Sequence, residues 1–288
     1  MYNNSNICIL GQSRSGKTCY LYAVSHVLSQ GINVNGHRIY AVPVDNQQSI
    51  RLIEGIESMA NGQWPEGSIN TDSYPFSLYV DGLKLTDFKI IDYRGGIFYS
   101  AQDSSQKEID NLFDYFENSR CIVYFVDGDT LLNAMNPHGG SIADMNKLLY
   151  IQTLVQMCNE RMTTSVPIIL AITKSDIFSR EQLEEGKRFL RGRLPYVFSS
   201  GNGMVTGITA VTLGKGLGKD AKGGLSGELH LNTDGNLHVP ILFALLQEVS
   251  NMAEEDEDLR PLVSLMSSAF SPDALELYVN GQRGILIE

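Results

Sequence analysis

The segment that most constrains the fold is the octapeptide Gly11-Gln12-Ser13-Arg14-Ser15-Gly16-Lys17-Thr18. It follows the apolar run 7–10, which predicts a buried strand. Its last residue begins the segment 18–30, whose apolar side chains recur with the period of an amphipathic helix. In this context the pattern G-x-x-x-x-G-K-[ST] predicts a loop that wraps the phosphate groups of a nucleotide. A strand, such a loop and a helix in succession favour an α/β fold.

The residue types in this loop explain its spacing. Gly11 and Gly16 allow backbone conformations that turn successive N–H groups inward, and the following helix adds the positive end of its dipole. Lys17 is expected to bind the β- and γ-phosphates, and the Thr18 hydroxyl is expected to bind Mg²⁺. The residues expected to contact the nucleotide here are Gly11, Ser13, Arg14, Ser15, Gly16, Lys17, Thr18 and Cys19.

A second motif follows the strand predicted over residues 83–92. Asp92-Tyr93-Arg94-Gly95 matches D-x-x-G, in which the aspartate at the strand end holds Mg²⁺ and the glycine N–H contacts the γ-phosphate. The same string is also common as an ordinary turn, and its place after the phosphate loop favours the functional interpretation. We therefore expect Asp92 to lie at a metal site and Gly95 to contact the nucleotide.

A third motif, Thr173-Lys174-Ser175-Asp176, follows the strand predicted over residues 167–172. Guanine presents two donors, N1–H and an amino group, to one carboxylate, whereas N1 of adenine is an acceptor. Asp176 therefore predicts guanine rather than adenine, and Lys174 is expected to lay its alkyl chain along the base. Alone, this string is also compatible with a helix cap at a strand end. The order of the three motifs, each at a strand end, favours a nucleotide site.

Strands alternate with helices along the chain, which predicts a mostly parallel sheet with helices on both faces. Asp81-Gly82 between two strand-like runs predicts a two-residue hairpin, and hence one antiparallel edge strand. We expect the glycine- and lysine-rich segment 213–225 to be mobile. A small hairpin is expected around Asp234-Gly235, followed by a helix that begins near Pro240.

The expected domain organisation is a single enlarged domain over residues 1–252, followed by a C-terminal extension over 253–288. Two insertions are expected within the domain. One lies at about 31–63, and the other lies at 213–239, before the last core helix.

The three motifs, in this order, resemble those of P-loop GTPases of the Ras-like, translation-factor-related class. The resemblance covers about residues 7–252 and implies a Ras-like fold that binds GTP or GDP with Mg²⁺. Thr173 stands where the family usually has asparagine, which weakens one contact between the base loop and the phosphate loop. The last motif of the family is similar to Thr209-Ala210, where a backbone N–H would contact the guanine carbonyl oxygen.

The resemblance also implies a switch I hydroxyl that binds Mg²⁺ in the GTP state, for which Ser68 and Thr71 are the two candidates. The string Trp64-Pro65-Glu66-Gly67-Ser68 resembles bacterial double-GTPase proteins of multi-gene conflict and signalling modules. Ras-like enzymes place a glutamine just after D-x-x-G to orient the attacking water, but this chain has Gly96. Intrinsic hydrolysis is therefore expected to be slow unless another group supplies that function.

Two arginines are candidates for such a group, and with Lys17 they form the predicted catalytic set. Arg14 would place a guanidinium near the bridging oxygen of the triphosphate, or it is simply an exposed loop side chain. Arg94 has the same two interpretations, the second being a pair with a surface carboxylate. Trp64 is either an anchor for a partner protein or a side chain that packs its loop onto the neighbouring helix.

The composition of the chain indicates which classes of partner are favoured. The chain of 288 residues carries a formal net charge of −11, which disfavours nucleic acid and anionic membranes and favours protein partners. The apolar runs are too short for a membrane span, and the first residues lack a signal segment, so a cytoplasmic location is expected. The expected function is a GTP-dependent switch or assembly regulator that hydrolyses GTP slowly. The alternative is a GTP-bound structural subunit that does not hydrolyse it.

Overall fold

The protein is described from a computed structural model. The described residues are 5–65, 71–93, 106–117, 119–136, 140–161, 166–198, 204–221 and 223–284. Within them, α-helices and β-strands alternate over most of the chain.

The strands are β1 (Ser5–Gly11), β2 (Ile32–Val34), β3 (His37–Pro43), β4 (Asp72–Val80), β5 (Leu83–Asp92), β6 (Ser119–Val126), β7 (Ile168–Ile172), β8 (Val205–Ala210), β9 (Gly214–Lys219), β10 (Leu225–Leu229), β11 (Glu276–Val279) and β12 (Gln282–Gly284). The helices are α1 (Lys17–Gln30), α2 (Asn46–Ala60), α3 (Gln106–Glu117), α4 (Gly128–Met135), α5 (Ile142–Arg161), α6 (Arg180–Arg193), α7 (Val239–Glu255) and α8 (Arg260–Ser267).

Ten of these strands form one sheet in the order β12-β11-β8-β7-β6-β1-β5-β4-β3-β2. The five central strands, from β8 to β5, run parallel to one another. The outer strands β4, β3 and β2 on one side, and β11 and β12 on the other, are added antiparallel. The strands β9 and β10 form a separate two-stranded sheet.

The expectation of a mostly parallel sheet with one antiparallel edge strand was wrong in its proportions. Among the described strands of the main sheet, four neighbouring pairs are parallel and five are antiparallel. The short strand β2 was not predicted, and the pairing of β11 with β8 joins segments that are far apart in sequence. Side-chain periodicity predicts that a segment is extended, but it does not identify the strand that will pair with it.

Helices cover both faces of the sheet, as expected. Side chains alternate along β1, so that Ile7 and Ile9 contribute to one apolar core, and Cys8 and Leu10 contribute to the other. The first core also contains side chains of α1, α2, α7 and α8, and the second contains those of α3, α4, α5 and α6. The sheet is therefore the middle of three layers.

The predictions of local structure had different outcomes. The predicted hairpin between β4 and β5 is present, with Asp81 and Gly82 both at positive φ, 50° and 86°. The described residues of segment 213–225, which was expected to be mobile, include β9 and the first residue of β10. The hairpin expected around Asp234-Gly235 is replaced by the short 3-10 turn Thr233–Gly235.

The C-terminal segment is attached to the rest of the fold by an ion cluster. Glu276 on β11 is buried and accepts hydrogen bonds from Lys187, Arg191 and Tyr278 at 3.0, 2.9 and 2.7 Å. The domain boundary expected at residue 252 lies within α7, and the segment beyond it adds β11 to the main sheet. The division into domain and extension stays a prediction.

None of the helices in the described part of the chain combines the length and the apolar character needed to cross a membrane.

The Glu276 cluster should contribute measurably to stability. Glu276→Gln would leave the buried Lys187 ammonium with Glu184, whose side chain is 54% exposed. We expect the free energy of unfolding to fall by about 2–3 kcal/mol, measured by urea denaturation at pH 7. The exposed pair of Glu257 and Arg260 provides the control, and Glu257→Gln should change stability by less than about 0.5 kcal/mol.

The same cluster predicts a pH dependence. Burial raises the pKa of Glu276, but hydrogen bonds from Tyr278 and Lys187 outweigh it and hold the pKa below its ordinary value. The stabilisation is therefore fully present above the ordinary carboxyl pKa, near 4.5, and is lost as the pH falls through the lowered value. Equal acid sensitivity in wild type and Glu276→Gln would contradict this.

Candidate nucleotide-binding site

The three sequence motifs meet at one edge of the sheet. The phosphate loop follows β1, Asp92 ends β5, and the Thr173–Asp176 string follows β7. Because β5, β1, β6 and β7 are parallel neighbours, their carboxyl ends lie along the same edge. In open α/β sheets this edge is where ligands bind.

The phosphate loop needs glycine at its two fixed positions. Gly11 has a φ of 144°, and a Cβ there would lie 2.8 Å from the Phe125 carbonyl oxygen. Gly16, at the N-cap of α1, has the left-handed φ of 88°. These conformations turn the loop around the start of α1, where backbone N–H groups and the helix dipole favour an anion.

The other loop side chains differ in exposure. Ser13 and Arg14 are exposed, and Arg14 adopts a left-handed φ of 67°. Ser15 is fully buried and its hydroxyl donates to the Gln12 carbonyl oxygen at 2.9 Å, which fixes the loop internally. Cys19 is half-buried, and burial raises the pKa of its thiol to about 11, so it stays protonated at neutral pH.

The Lys17 ammonium lies inside the loop. Nζ donates to the carbonyl oxygens of Gly11 at 3.0 Å and Gln12 at 2.7 Å. Burial lowers the pKa of Lys17 to about 8, although the negative charge of Asp92 acts in the opposite direction. A buried cation held by neutral carbonyls is stabilised further by an anionic phosphate.

Asp92 and Thr18 meet beside Lys17. The Thr18 hydroxyl donates to Asp92 Oδ2 at 3.3 Å, and Asp92 is almost fully buried. The register that pairs Asp72 with Asp92 places Thr71 directly next to this end of β5. These hydroxyl and carboxylate oxygens are the ligand chemistry that Mg²⁺ prefers, so the residues present fit the ion. Ser68, Arg94, Gly95 and Gly96 lie outside the described residues.

Lys174 is held by two carboxylates that the sequence analysis missed. Its backbone is left-handed, with φ of 53°, and Nζ lies 2.6 Å from both Asp127 Oδ1 and Asp129 Oδ2. Asp127 also caps α4. Fixing the ammonium in this way leaves the alkyl chain of Lys174 to lie against a flat ligand. The missed signal was a pair of acidic residues at the carboxyl end of β6.

Thr173 ties the end of β7 to the end of β6 rather than to the phosphate loop. It is buried, and both its backbone N–H and its hydroxyl donate to the Val126 carbonyl oxygen, at 2.9 and 3.3 Å. The side chain at this position therefore supports the strand ends from which Lys174 and Asp176 project.

The Asp176 carboxylate is oriented by the chain that follows β8. Oδ1 accepts from the Thr212 hydroxyl at 3.0 Å, and Oδ2 accepts from the Gly216 backbone N–H at 3.1 Å. Each carboxylate oxygen can accept two hydrogen bonds, so both retain capacity for donors of a bound base. Asp176 is half-buried, which places it at the rim of the site.

Thr209 and Ala210 end β8, which is next to β7 in the sheet. Thr209 is fully buried and its hydroxyl donates to the Ala274 carbonyl oxygen at 2.6 Å, while the Ala210 carbonyl accepts from Asn236. Thr212, two residues beyond the end of β8, contacts Asp176. Thr212 lies outside β8, which ends at Ala210, and the short Thr209-Ala210 match gave no signal for it.

Comparison with known proteins adds little to this geometry. No protein-family model and no curated protein matches the chain. Similar solved structures include bacterial selenocysteine-specific elongation factor EF-Sec, at 15% identity and a TM-score of 0.37, covering 73% of this chain and 26% of that one. Another is the signal recognition particle receptor SRb-GTP/SRX complex from Chaetomium thermophilum, at 13% identity and a TM-score of 0.41, covering 74% and 92%.

The GTP-bound Ski7 GTPase-like domain from S. cerevisiae is similar at 13% identity and a TM-score of 0.39, covering 73% of this chain and 42% of that one. The chain thus spans less than half of two of these three proteins. All three TM-scores lie at or below 0.41, a similarity that identifies neither the family nor the function.

The lowered pKa of Lys17 predicts that phosphate binding takes up a proton at alkaline pH. Below pH 8 the ammonium is already charged, and at pH 9 most of it is neutral until a phosphate restores the charge. Affinity for a nucleoside diphosphate should therefore fall about tenfold between pH 7 and pH 9. Calorimetry in buffers of different ionisation enthalpy should show uptake of nearly one proton at pH 9. In Lys17→Met, the proton uptake that comes from Lys17 should disappear, and only the proton uptake of the nucleotide itself should remain.

Proposed function

We propose that the protein binds guanine nucleotide with Mg²⁺ and acts as a GTP-dependent switch or assembly regulator that hydrolyses GTP slowly. The observation that supports this most directly is the Asp176 carboxylate. Two protein donors orient it on the loop after β7, two strands from β1 and its phosphate loop.

The base preference follows from hydrogen-bond complementarity. The free acceptor capacity of the Asp176 oxygens matches N1–H and the amino group of guanine. Adenine would set its N1 acceptor against the carboxylate, and a buried site that leaves such groups unpaired rejects the wrong base strongly. Lys174, fixed by Asp127 and Asp129, is proposed to cover the base plane. A backbone N–H at Thr209-Ala210, at the end of β8, is proposed to contact the guanine carbonyl oxygen.

The phosphates are proposed to lie in the loop from Gly11 to Thr18. Lys17 would exchange its contacts with backbone carbonyls for the β- and γ-phosphates, and loop N–H groups would bind the same oxygens. Thr18 and Asp92, with Thr71 or Ser68 in the GTP state, would hold Mg²⁺, which supplies neutralisation of phosphate charge when bound. Thr71 is favoured by its position beside the end of β5.

Hydrolysis would proceed by attack of a water oxygen on the γ-phosphorus. The bond to the β–γ bridging oxygen breaks, GDP leaves with that oxygen, and inorganic phosphate is released. Gly96 has no side chain to orient the water, so the intrinsic rate is proposed to be low. Arg14, exposed on the loop, and Arg94 are the side chains proposed to place positive charge on the transition state.

The switch would act through the chain segments that contact the γ-phosphate. Gly95 and the switch I hydroxyl hold these segments in the GTP state and release them after hydrolysis. The acidic net charge favours a protein as the partner that reads this change. We place the protein among P-loop GTPases of the Ras-like class in the cytoplasm, with the bacterial double-GTPase type as the narrower proposal.

A second candidate is a structural subunit that keeps GTP intact, which glycine rather than glutamine at position 96 favours. The two differ in the fate of bound nucleotide. Purified protein that retains GTP for hours supports the structural subunit, whereas conversion to GDP supports the switch.

The base assignment predicts a switch of preference at one position. GTP should bind at least about 100-fold more tightly than ATP, and Asp176→Asn should lose this preference and favour xanthosine triphosphate, because an amide can donate to the extra carbonyl of xanthine. Calorimetry measures both, with the exposed Asp258→Asn as the control. Equal affinities of the wild type for GTP and ATP would remove the guanine assignment and leave a phosphate-binding fold.

The arginine proposals predict slower chemistry without weaker binding. In single-turnover hydrolysis, removing a guanidinium that stabilises the transition state should slow Arg14→Ala or Arg94→Ala by at least about tenfold. Arg14→Lys tests whether charge alone suffices, since lysine lacks the planar fork. Rates equal to wild type in both alanine variants would eliminate both arginines.

A further inference from the structure

The hairpin of β9 and β10 contacts two parts of the chain that are far apart in sequence. One is Asp176, through the Gly216 N–H. The other is the end of α2 and the residues after it, Gly62 and Trp64. The hairpin therefore bridges the base-recognition loop and the chain that leads towards switch I.

The contact to Trp64 lies close to the contact to Asp176. The indole Nε1–H of Trp64 donates to the Gly218 carbonyl oxygen at 3.1 Å. Gly216 and Gly218 are two residues apart on β9, and between them the pairing with β10 is irregular, with Gly216 at a left-handed φ of 60°. One short stretch of β9 thus contacts both the carboxylate and the indole.

Backbone hydrogen bonds connect the residues before Trp64 to the end of α2. The backbone N–H groups of Gly62 and Gln63 donate to Met59 and Ser58 at the end of α2, at 3.0 and 2.9 Å. The Leu225 N–H, at the start of β10, donates to the Gly62 carbonyl oxygen. The hairpin is therefore attached through both of its strands to the residues that follow α2.

The Asp176 side is also tightly coupled. The one proton of the Thr212 hydroxyl is shared between Asp176 Oδ1 at 3.0 Å and the Gly214 carbonyl oxygen at 2.7 Å, and the hydroxyl oxygen accepts from the Gly214 N–H at 3.2 Å. Any displacement of β9 therefore moves a donor to each oxygen of the Asp176 carboxylate.

We propose that Trp64 is a positioning residue for base recognition, which acts on Asp176 through β9. This rests on the proposed guanine-nucleotide site and extends it to a residue far from the three motifs. The indole hydrogen bond holds β9 against the end of α2, and β9 in turn holds the carboxylate in the orientation that accepts two donors of the base. Release of the nucleotide is slowed because the carboxylate cannot turn away while the strand is held.

The test is the dissociation rate of a fluorescent N-methylanthraniloyl GDP, displaced by excess unlabelled GDP. Trp64→Phe keeps an aromatic ring and removes the N–H donor, so release should become about fivefold faster, the effect of losing one ordinary hydrogen bond. Lys219→Ala, an exposed side chain on the same hairpin, is the matched control and should leave the rate unchanged.

A double-mutant cycle separates positioning from general loosening. In an Asp176→Ala background no carboxylate remains to be positioned, so Trp64→Phe should not accelerate release further. Acceleration of the same size in that background, or no acceleration in the Asp176-containing protein, overturns the proposal. The melting temperature of the nucleotide-free Trp64→Phe protein checks that the variant is folded.

Two different results distinguish a wrong proposed function from a wrong role for Trp64. Wild-type protein that binds no guanine nucleotide overturns the proposed function and, with it, this role for Trp64. Wild-type protein that binds GDP, combined with an unchanged release rate in Trp64→Phe, overturns the role of Trp64 alone.

Discussion

The parallel pairing of β1 with its two neighbours decides where every part of the site lies. Ile9 is paired with Asp92 on one side, and Gly11 is paired with Phe125 on the other. This register brings the Asp92 carboxylate to the start of α1, and it places Phe125 so close to Gly11 that a side chain has no room there. Since side chains alternate between faces, a slip of one residue would turn Asp92 towards the opposite layer. The relative positions of the motifs in the site thus depend on the register of the sheet.

The parts of the fold that sequence predicted well are those fixed by neighbouring residues. The phosphate loop, the turn at Asp81-Gly82 and the start of α7 near Pro240 all depend on backbone preferences that act over a few positions. The pairing of β11 with β8 depends instead on a contact between distant segments, for which one sequence carries no signal. Asp127 and Asp129 are visible in the sequence as an acidic pair after β6, but their contact with Lys174 exists only when β6 and β7 lie side by side.

The glycine-rich segment shows how composition can mislead. Glycine is often taken as a sign of mobility, yet a Cβ at Gly214 would collide with the Glu228 carbonyl oxygen. The residue is small here because two backbones approach closely, which is a general reason for glycine within a strand. Sequence alone does not distinguish the two causes, and only the second gives β9 the fixed edge that orients Asp176.

The chain contains a single tryptophan, and it lies at the junction of α2 and β9. Its emission therefore comes from one place, without a background from other indoles, and that place borders the loop that reads the base. Trp64 is therefore an intrinsic fluorophore next to the strand that contacts Asp176. Spectroscopy of the unmodified protein can follow this junction in real time, with no dye attached.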